Sequence, residues 1–479
     1  MKLRRSLLSV LTVLPFIACA ASEDGDAESS EAAASLGVFD ADLAKSLSRA
    51  VVASGKGDFC VALKRLPGAA YRDEDTSKED KLCGADFYIP ANEGDKKAVA
   101  LCPKVVSTNP GTDIYEIPEG QTKASIQNET TCNALDQLGK LDKLGKYKQS
   151  LWCSHTGAIL AAYHVSRALG DVAGVPVAVL RTMDKAEHKE IVDMGAKLTA
   201  ARYRPSAFIR RNWNALWPCL HAGRSDCGMP GTASENLYIR GPAIWDNDVA
   251  ESNFASGHVV GALMGNASED GNYPNITTAG SLKTNKRYVA LTQPGLPLEK
   301  SFAQETVQGI LAMKDISDFL ILDTIIEQQD RFSESGGNLS QKKYLMWKNA
   351  DGTIDQERAD KKKDAPADAL TVARMVIEDN DCGLRKGMRN TRGYDALLAP
   401  IRHLAPSTYR GLQDLARNID AQRDVFTQGM AMTGREFDRL AENVKFVASS
   451  FLNKCTTGKL ALDLDVAPHV SGAEPPKCQ

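Results

Sequence analysis

Cysteines behind an export signal are the feature that most constrains what this chain can fold into. The chain has 479 residues and 11 cysteines, and residues 1–21 join a basic start, an apolar run from Leu7 to Ile17 and small residues. This pattern is typical of a secretory signal. Without Cys19, which leaves with the signal or carries lipid, an even number remains, and that favours disulfides in an exported protein. Cys219 and Cys227 could close a local loop.

Cys19 is a candidate lipid anchor. Phe16 to Cys19 resembles a bacterial lipobox, in which the cysteine is acylated after cleavage, although Phe stands where Leu is usual. The acidic, Ser/Ala-rich residues 22–36 that follow are typical of a flexible tether. Ordinary cleavage after Ala20 or Ala21 is the alternative. We therefore expect a protein of the bacterial periplasm, outer membrane or cell surface, held at the membrane if Cys19 is acylated.

Composition excludes several classes of protein. Lys plus Arg total 58 and Asp plus Glu total 61, so the net charge of -3 gives no reason to expect nucleic acid as a partner. The seven histidines show no ligand spacing and there is no C-x-x-C motif, which argues against a structural zinc site. The hydrophobic content of 43% is enough to fill a core.

The pattern along the chain predicts an α+β fold with two lobes. Residues 37–182 form the strand-rich N-lobe, because short apolar runs are broken by Pro and Gly, and they include helical spacing over 133–170 and a strand at 175–182. The mainly helical C-lobe spans 183–464, with helices predicted at 302–329, 394–404, 408–426 and 434–455 and strands at 257–265, 286–293 and 370–377. Residues 465–479 are predicted to be a disordered tail unless a disulfide bond of Cys478 holds them against the fold. Ligands tend to bind between such lobes.

The segment from Leu320 to Asn338 places an acid and a base after an apolar helix. Asp323, Glu327 and Asp330 follow helical spacing, so Asp330 is predicted to lie where the helix ends, followed by Arg331 and a small polar loop. A carboxylate just beyond a rigid element can orient a hydroxyl or accept its proton. The alternative is an ordinary polar helix terminus.

A second acidic segment follows about fifty residues later. The predicted strand at 370–377 leads directly into Glu378, Asp379, Asn380 and Asp381. Oxygen donors clustered at the exit of a strand can hold a hard divalent cation. An acidic turn is the alternative, but two such segments in this order favour a shared site.

Together, "LDTIIEQQDRFSESGGN" and "VIEDNDCGL" resemble the catalytic and metal-binding segments of atypical kinases. That group contains the phosphatidylinositol 3- and 4-kinases, the actin-fragmin kinase and, above all, the secretory-pathway kinases of the Golgi casein kinase and four-jointed type. The resemblance implies a two-lobed kinase-like fold, with Asp330 and Arg331 as the catalytic motif and Asp379 as the metal ligand. Asp381 competes for the metal. Asn338 would be a second ligand, although it lies farther from Asp330 than is usual in lipid kinases.

The same resemblance implies ATP with Mg or Mn, and a lysine that binds the nucleotide. Lys123, on a predicted strand in "GQTKASI", and Lys104, in "VALCPKVV", are the two candidates. Lys64 in "VALK" is discounted because a Pro-Gly turn ends its strand too soon. These kinases often pair the lysine with a glutamate on a helix, where this chain has Ile159, and Glu129 is the suggested substitute.

The hypothesis that results is an exported atypical kinase that transfers the γ-phosphate of ATP to a hydroxyl of a protein, lipid or sugar. Phosphoryl transfer needs little more than a positioned carboxylate, a lysine and a divalent metal ion. Two alternatives stay open. One is a kinase-like binding lipoprotein without activity, and the other is an unrelated disulfide-bonded surface lipoprotein or hydrolase that binds metal through its acidic loops.

Overall fold

The structure is a computed structural model that describes most of the chain beyond the tether. The described residues are 47–53, 59–88, 97–107, 109–150, 154–201, 207–222, 238–245, 282–329, 331, 340–359, 364–377, 380–384 and 393–478. Cys19, Asp330, Asn338 and Asp379 lie outside these residues, as does the predicted strand at 257–265. Predictions about them stay predictions.

A seven-stranded antiparallel sheet forms the strand-rich half. Its strands are β1 (Ser48–Ala53), β2 (Phe59–Leu63), β3 (Val99–Pro103), β4 (Gly111–Glu116), β5 (Lys143–Lys148), β6 (Ala178–Asp184) and β7 (Tyr238–Trp245). They lie in the order β1-β2-β6-β7-β5-β4-β3, and all neighbours are antiparallel. The prediction of antiparallel strands in this half is confirmed. The sheet also takes β7 from beyond residue 182, where the N-lobe was predicted to end.

Helices accompany this sheet, and one of them is fully enclosed. They are α1 (Asp73–Gly84), α2 (Lys123–Ile126), α3 (Glu129–Asn133), α4 (Leu135–Leu138), α5 (Thr156–Ala168), α6 (Lys185–Ala201) and α7 (Ala207–Ala222). All residues of α5 are buried, and it packs against β6, β7 and helices of the second half. The prediction of helical structure throughout 133–170 is wrong, because residues 143–148 pair with β4 and β7 to form a central strand. Such pairing with distant segments overrides local spacing.

The second half is mainly helical and carries a small sheet. Its elements are α8 (Lys286–Leu291), α9 (Gln304–Ile325), β8 (Ser340–Lys348), β9 (Ile354–Arg358), β10 (Leu370–Val376), α10 (Tyr394–Leu398), α11 (Pro406–Asn418), α12 (Gly434–Thr456) and α13 (Val466–Ser471). The three strands lie in the antiparallel order β10-β8-β9. A 3-10 turn, Ile419–Gln422, and a π-helical turn, Val425–Gly429, join α11 to α12. The α+β prediction is confirmed, as are the helices at 302–329 and 434–455 and the strand at 370–377 in all but their ends.

The predicted strand at 286–293 is wrong. It is α8, which begins because the side-chain oxygen of Asn285 accepts hydrogen bonds from the backbone N–H groups of Arg287, at 2.7 Å, and Tyr288, at 3.1 Å. Asparagine is a strong helix N-cap because it satisfies N–H groups that have no partner within the helix. Tyr288 and Leu291, one helical turn apart, are buried. The short apolar run therefore follows a helical period and not a strand period.

Disulfides connect elements within each half. Cys60 bonds to Cys83, Cys102 to Cys132, and Cys455 to Cys478, so the last pair ties the C-terminal tail to α12. Cys219 is also disulfide-bonded, and Cys227, its predicted local partner, lies outside the described residues. These bonds fit an extracellular protein, because disulfides persist in oxidising compartments. Within the described ranges, none of the helices has both the length and the apolar composition to cross a bilayer.

We predict that Gly411→Ala destabilises the packing between the two halves. A Cβ at Gly411 in α11 would lie 2.3 Å from the carbonyl oxygen of Ala168 at the end of α5. Because that obstacle is backbone, the expected loss in the free energy of unfolding is about 1–3 kcal/mol. Gly84→Ala is the matched control, since a Cβ there has no heavy atom within 4 Å. Urea denaturation should show the loss for the first variant only, and equal midpoints would contradict the prediction.

Candidate active site

The chain turns sharply after α9, just before Asp330. The helix ends at Ile325, earlier than predicted, and Glu327 takes a left-handed backbone conformation with φ of 51°. The N–H of Gln328 donates to the carbonyl of Asp323 at 3.0 Å and closes this turn. Residues 326–329 therefore form a connection beyond the helix, and the described residue Arg331 shows how that connection is held.

Arg331 is fully buried and fastens the connection to the end of α9. Its Nε lies 2.8 Å from Oδ2 of Asp323, and its Nη2 lies 3.0 Å from Oδ1, in a two-point ion pair. Nη2 also donates to Oδ1 of Asn380 at 2.6 Å, and Nδ2 of Asn380 donates to the carbonyl of Ile377 at 3.0 Å. Burial raises the pKa of Asp323, and the Arg331 guanidinium opposes this by favouring the charged carboxylate. Arg331 thus joins the two acidic segments that the sequence singled out.

Main-chain hydrogen bonds fix residues 380–384 against the same turn. The N–H of Gln329 donates to the carbonyl of Cys382 at 2.9 Å, and the N–H of Leu384 donates to that of Ile326 at 2.7 Å. A Cβ at Gly383 would lie 2.5 Å from the Ile326 carbonyl oxygen. The close approach therefore requires glycine at this position.

The fold brings a lysine from the seven-stranded sheet to this loop. Lys148, at the end of β5, places its Nζ 2.7 Å from Oδ2 of Asp381, and their side chains are only 5% and 3% exposed. The N–H of His155, the residue before α5, donates to the carbonyl of Asp381 at 2.8 Å. Asp381 is therefore held by its main chain and meets Lys148 through its side chain.

The lysines and glutamate that the sequence suggested for ATP make other contacts. Lys123 begins α2 and not a strand, and its ammonium contacts the carbonyl of Phe87 and lies 2.8 Å from Glu187. Glu129, at the start of α3, lies 2.9 Å from Lys197. Both pairs link short segments of the first half to α6.

Lys104 follows β3, and its N–H donates to the carbonyl of Gly111 at 2.8 Å. Lys148 is not among the predicted nucleotide-binding residues, because the helix prediction for 133–170 covers its segment. The signal was available in "LGKYKQS", where Lys146 and Lys148 alternate with Tyr147 as on a strand, and both lysines are buried.

His155 also connects this region to α12. Its Nε2 lies 3.1 Å from Oε1 of Glu436, and its Nδ1 accepts a hydrogen bond from the N–H of Ala158 at 3.0 Å. Glu436 forms a capping box with Thr433 at the start of α12. Burial alone would raise the pKa of Glu436, but the contact with His155 and the hydrogen bonds with Thr433 favour the carboxylate and lower it to about 2. The start of α5 is thus tied to two separate segments.

The described residues alone do not complete a divalent metal site. Asp381 offers one carboxylate, and it lies beside a lysine. The side chain of Asn380 is already occupied by Arg331 and Ile377. No group of three or more His, Cys, Asp or Glu side chains placed to hold a metal occurs within the described part of the chain. A complete site here would need Asp379, which stays a predicted ligand together with Asn338.

Comparisons with known proteins give a structural likeness and no sequence relative. A solved structure of the Golgi casein kinase with Mn/ADP bound matches with a TM-score of 0.37 and 11% identity, covering 85% of this chain and 80% of that chain. A second structure of the Golgi casein kinase matches with a TM-score of 0.37 and 12% identity, covering 80% and 76%. No family model and no curated protein matches the chain. The case for a function therefore depends on the residues of the site.

We predict that Glu436→Gln removes a pH-dependent part of the stability. Because the folded-state pKa of Glu436 is lowered to about 2, the unfolded chain binds a proton below about pH 4.5 while the folded protein does not. This contribution is complete above pH 4.5 and is lost as the pH falls. Wild type should lose about 2 kcal/mol more than the variant between about pH 6 and about pH 3. Denaturation at several pH values measures the difference, and the exposed Glu442→Gln on the same helix should behave as wild type.

Proposed function

We propose that this protein is an exported atypical kinase that transfers the γ-phosphate of ATP to a hydroxyl acceptor. The observation that carries the proposal is the buried contact between Lys148 and Asp381, which lies beside the segment that follows α9. Phosphoryl transfer depends mostly on positioning and charge neutralisation, so it requires a lysine, carboxylates and a divalent metal ion within one site. Lys148 and Arg331 both contact the loop after β10, through Asp381 and Asn380.

Each group has a distinct task in this proposal. Lys148 holds the phosphates of ATP, and Asp330 orients the acceptor hydroxyl and takes up its proton. Arg331, itself buried, positions Asp330 by binding Asp323 and so restricts the chain on one side of it. Such restraint matters because small displacements of a reacting group slow a reaction strongly. Mg or Mn, when bound, would neutralise charge on the phosphates.

The metal would be held by Asp379, with Asn338 as a second ligand. Asp379 is adjacent to Asn380, whose two side-chain hydrogen bonds to Arg331 and Ile377 fix that part of the loop. Because Asn380 is held in place, it would also restrict the neighbouring Asp379, and a metal ligand needs such support. Asp381 is the competing ligand.

Export and membrane attachment complete the proposal. The disulfides Cys60–Cys83, Cys102–Cys132 and Cys455–Cys478 fit folding outside the cytoplasm. Acylation of Cys19 would attach the protein to a membrane through the tether 22–36. The acceptor would then be a protein, lipid or sugar of that compartment.

A second candidate is a kinase-like protein that binds nucleotide without turnover. It is favoured by the absence of any acidic residue in α5, including at Ile159, where the resemblance implies a glutamate that pairs with the lysine. Binding and turnover therefore need separate measurements.

We predict that ATP with Mn stabilises the purified protein. A ligand that binds only the folded state adds about 2.7 kcal/mol to the free energy of unfolding at 100 times its dissociation constant. Thermal unfolding should shift upward with ATP and Mn together, and less with ATP alone, because the metal bridges the phosphates to the protein. The absence of any shift at millimolar ATP and Mn would contradict both candidates.

We predict that Asp330→Ala abolishes transfer of labelled phosphate from ATP while the melting temperature stays near that of wild type. Only the group that orients the hydroxyl is removed in this variant. Asp420→Asn is the control, because Asp420 forms an exposed surface pair with Lys445 and should keep full activity. Undiminished transfer by Asp330→Ala would overturn the assignment. Nucleotide binding without transfer by wild type would select the second candidate.

A further inference from the structure

We propose that Asp381 is the counter-ion that positions Lys148, and not a ligand of the divalent metal. The role of Lys148 in binding ATP rests on the proposed function, whereas its pairing with Asp381 is a contact seen in the structure. The Nζ of Lys148 and Oδ2 of Asp381 are 2.7 Å apart, with side-chain exposures of 5% and 3%. A buried ammonium group is costly unless a carboxylate lies next to it. Asp381 meets that requirement from a loop 233 residues away in sequence.

The neighbouring helix offers no carboxylate for this purpose. α5 begins at Thr156, soon after β5, and none of its 13 residues is Asp or Glu. Ile159 in its first turn is 5% exposed and belongs to the hydrophobic core. The carboxylate found against Lys148 comes instead from the loop after β10.

Asp381 is placed with little freedom, as a positioning residue should be. Its carbonyl accepts from His155, and the next carbonyl, that of Cys382, accepts from Gln329. The residue before it, Asn380, is fixed by Arg331. The side chain is consequently presented to Lys148 from a loop that is restrained on both sides, and it fixes the end of β5 relative to the segment that follows α9.

The charge balance also argues against metal coordination by this carboxylate. Asp381 already compensates one positive charge at hydrogen-bond distance, and a divalent cation bound to it would lie close to the Lys148 ammonium. Repulsion between like charges is strong where water is excluded. Asp379 and Asn338 stay the predicted metal ligands of the proposed site.

A double-mutant cycle on unfolding tests the pairing without reference to activity. Lys148→Met and Asp381→Asn should each raise the unfolding equilibrium constant about a hundredfold or more, because each removes one partner of a buried charge pair. The double variant should be no less stable than either single variant. Lys445→Met and Asp420→Asn form the matched control, an exposed Lys–Asp pair that should show almost no coupling. Additive losses for Lys148 and Asp381 would overturn the inference.

Metal and nucleotide titrations separate the two roles of Asp381. In Asp381→Asn, the dissociation constant for ATP should rise as much as in Lys148→Met, while the Mn concentration needed for half-maximal binding stays within about twofold of wild type. A rise of tenfold or more in that Mn concentration, with none in Lys148→Met, would instead make Asp381 a metal ligand. If wild type binds no nucleotide, the proposed function fails. Coupling in the unfolding cycle would still support Asp381 as the counter-ion of Lys148.

Discussion

The buried ion pair between Arg331 and Asp323 is the interaction on which the rest of the site depends. Both side chains are fully enclosed, so each charge is tolerable only because the other is present. Asp323 belongs to α9, the long core helix, and Arg331 belongs to the connection that follows it. Through Asn380 the same guanidinium reaches the loop after β10. Together with the main-chain bonds from Gln329 and Leu384, this arginine holds the described parts of the two acidic segments against each other.

The second link in the site joins the sheet to the helical half. Lys148 lies at the end of a central strand, and its contact with Asp381 crosses from one half of the protein to the other. Packing supports the same arrangement, since α5 is buried between the sheet and helices of the second half, and α11 approaches it closely at Gly411. Catalytic groups that come from distant segments need such support, because their positions depend on elements that do not move independently.

Several features of the fold and site were predictable because they depend on local patterns. The spacing of apolar residues fits only one kind of secondary structure in the long helices α9 and α12 and in the strand β10. The strand at 286–293 was mistaken because a short apolar run fits either period, and the cap at Asn285 decides for helix. Residues 143–148 were mistaken because only their pairing with β4 and β7 makes them a strand.

Composition, cysteine number and local residue order were enough to predict the class of fold, the preference for disulfides and the two acidic segments that resemble those of atypical kinases, because these properties depend on neighbouring residues. Which lysine meets those segments depends on contacts between residues far apart in the chain. The alternation in "LGKYKQS" indicates that Lys148 lies on a strand, but no local pattern shows which of Lys104, Lys123 and Lys148 reaches the loop after β10. The strand order places the end of β5 next to Asp381, so Lys148 is the lysine that reaches the loop. Burial then makes the pairing necessary, because a buried ammonium group needs a carboxylate beside it.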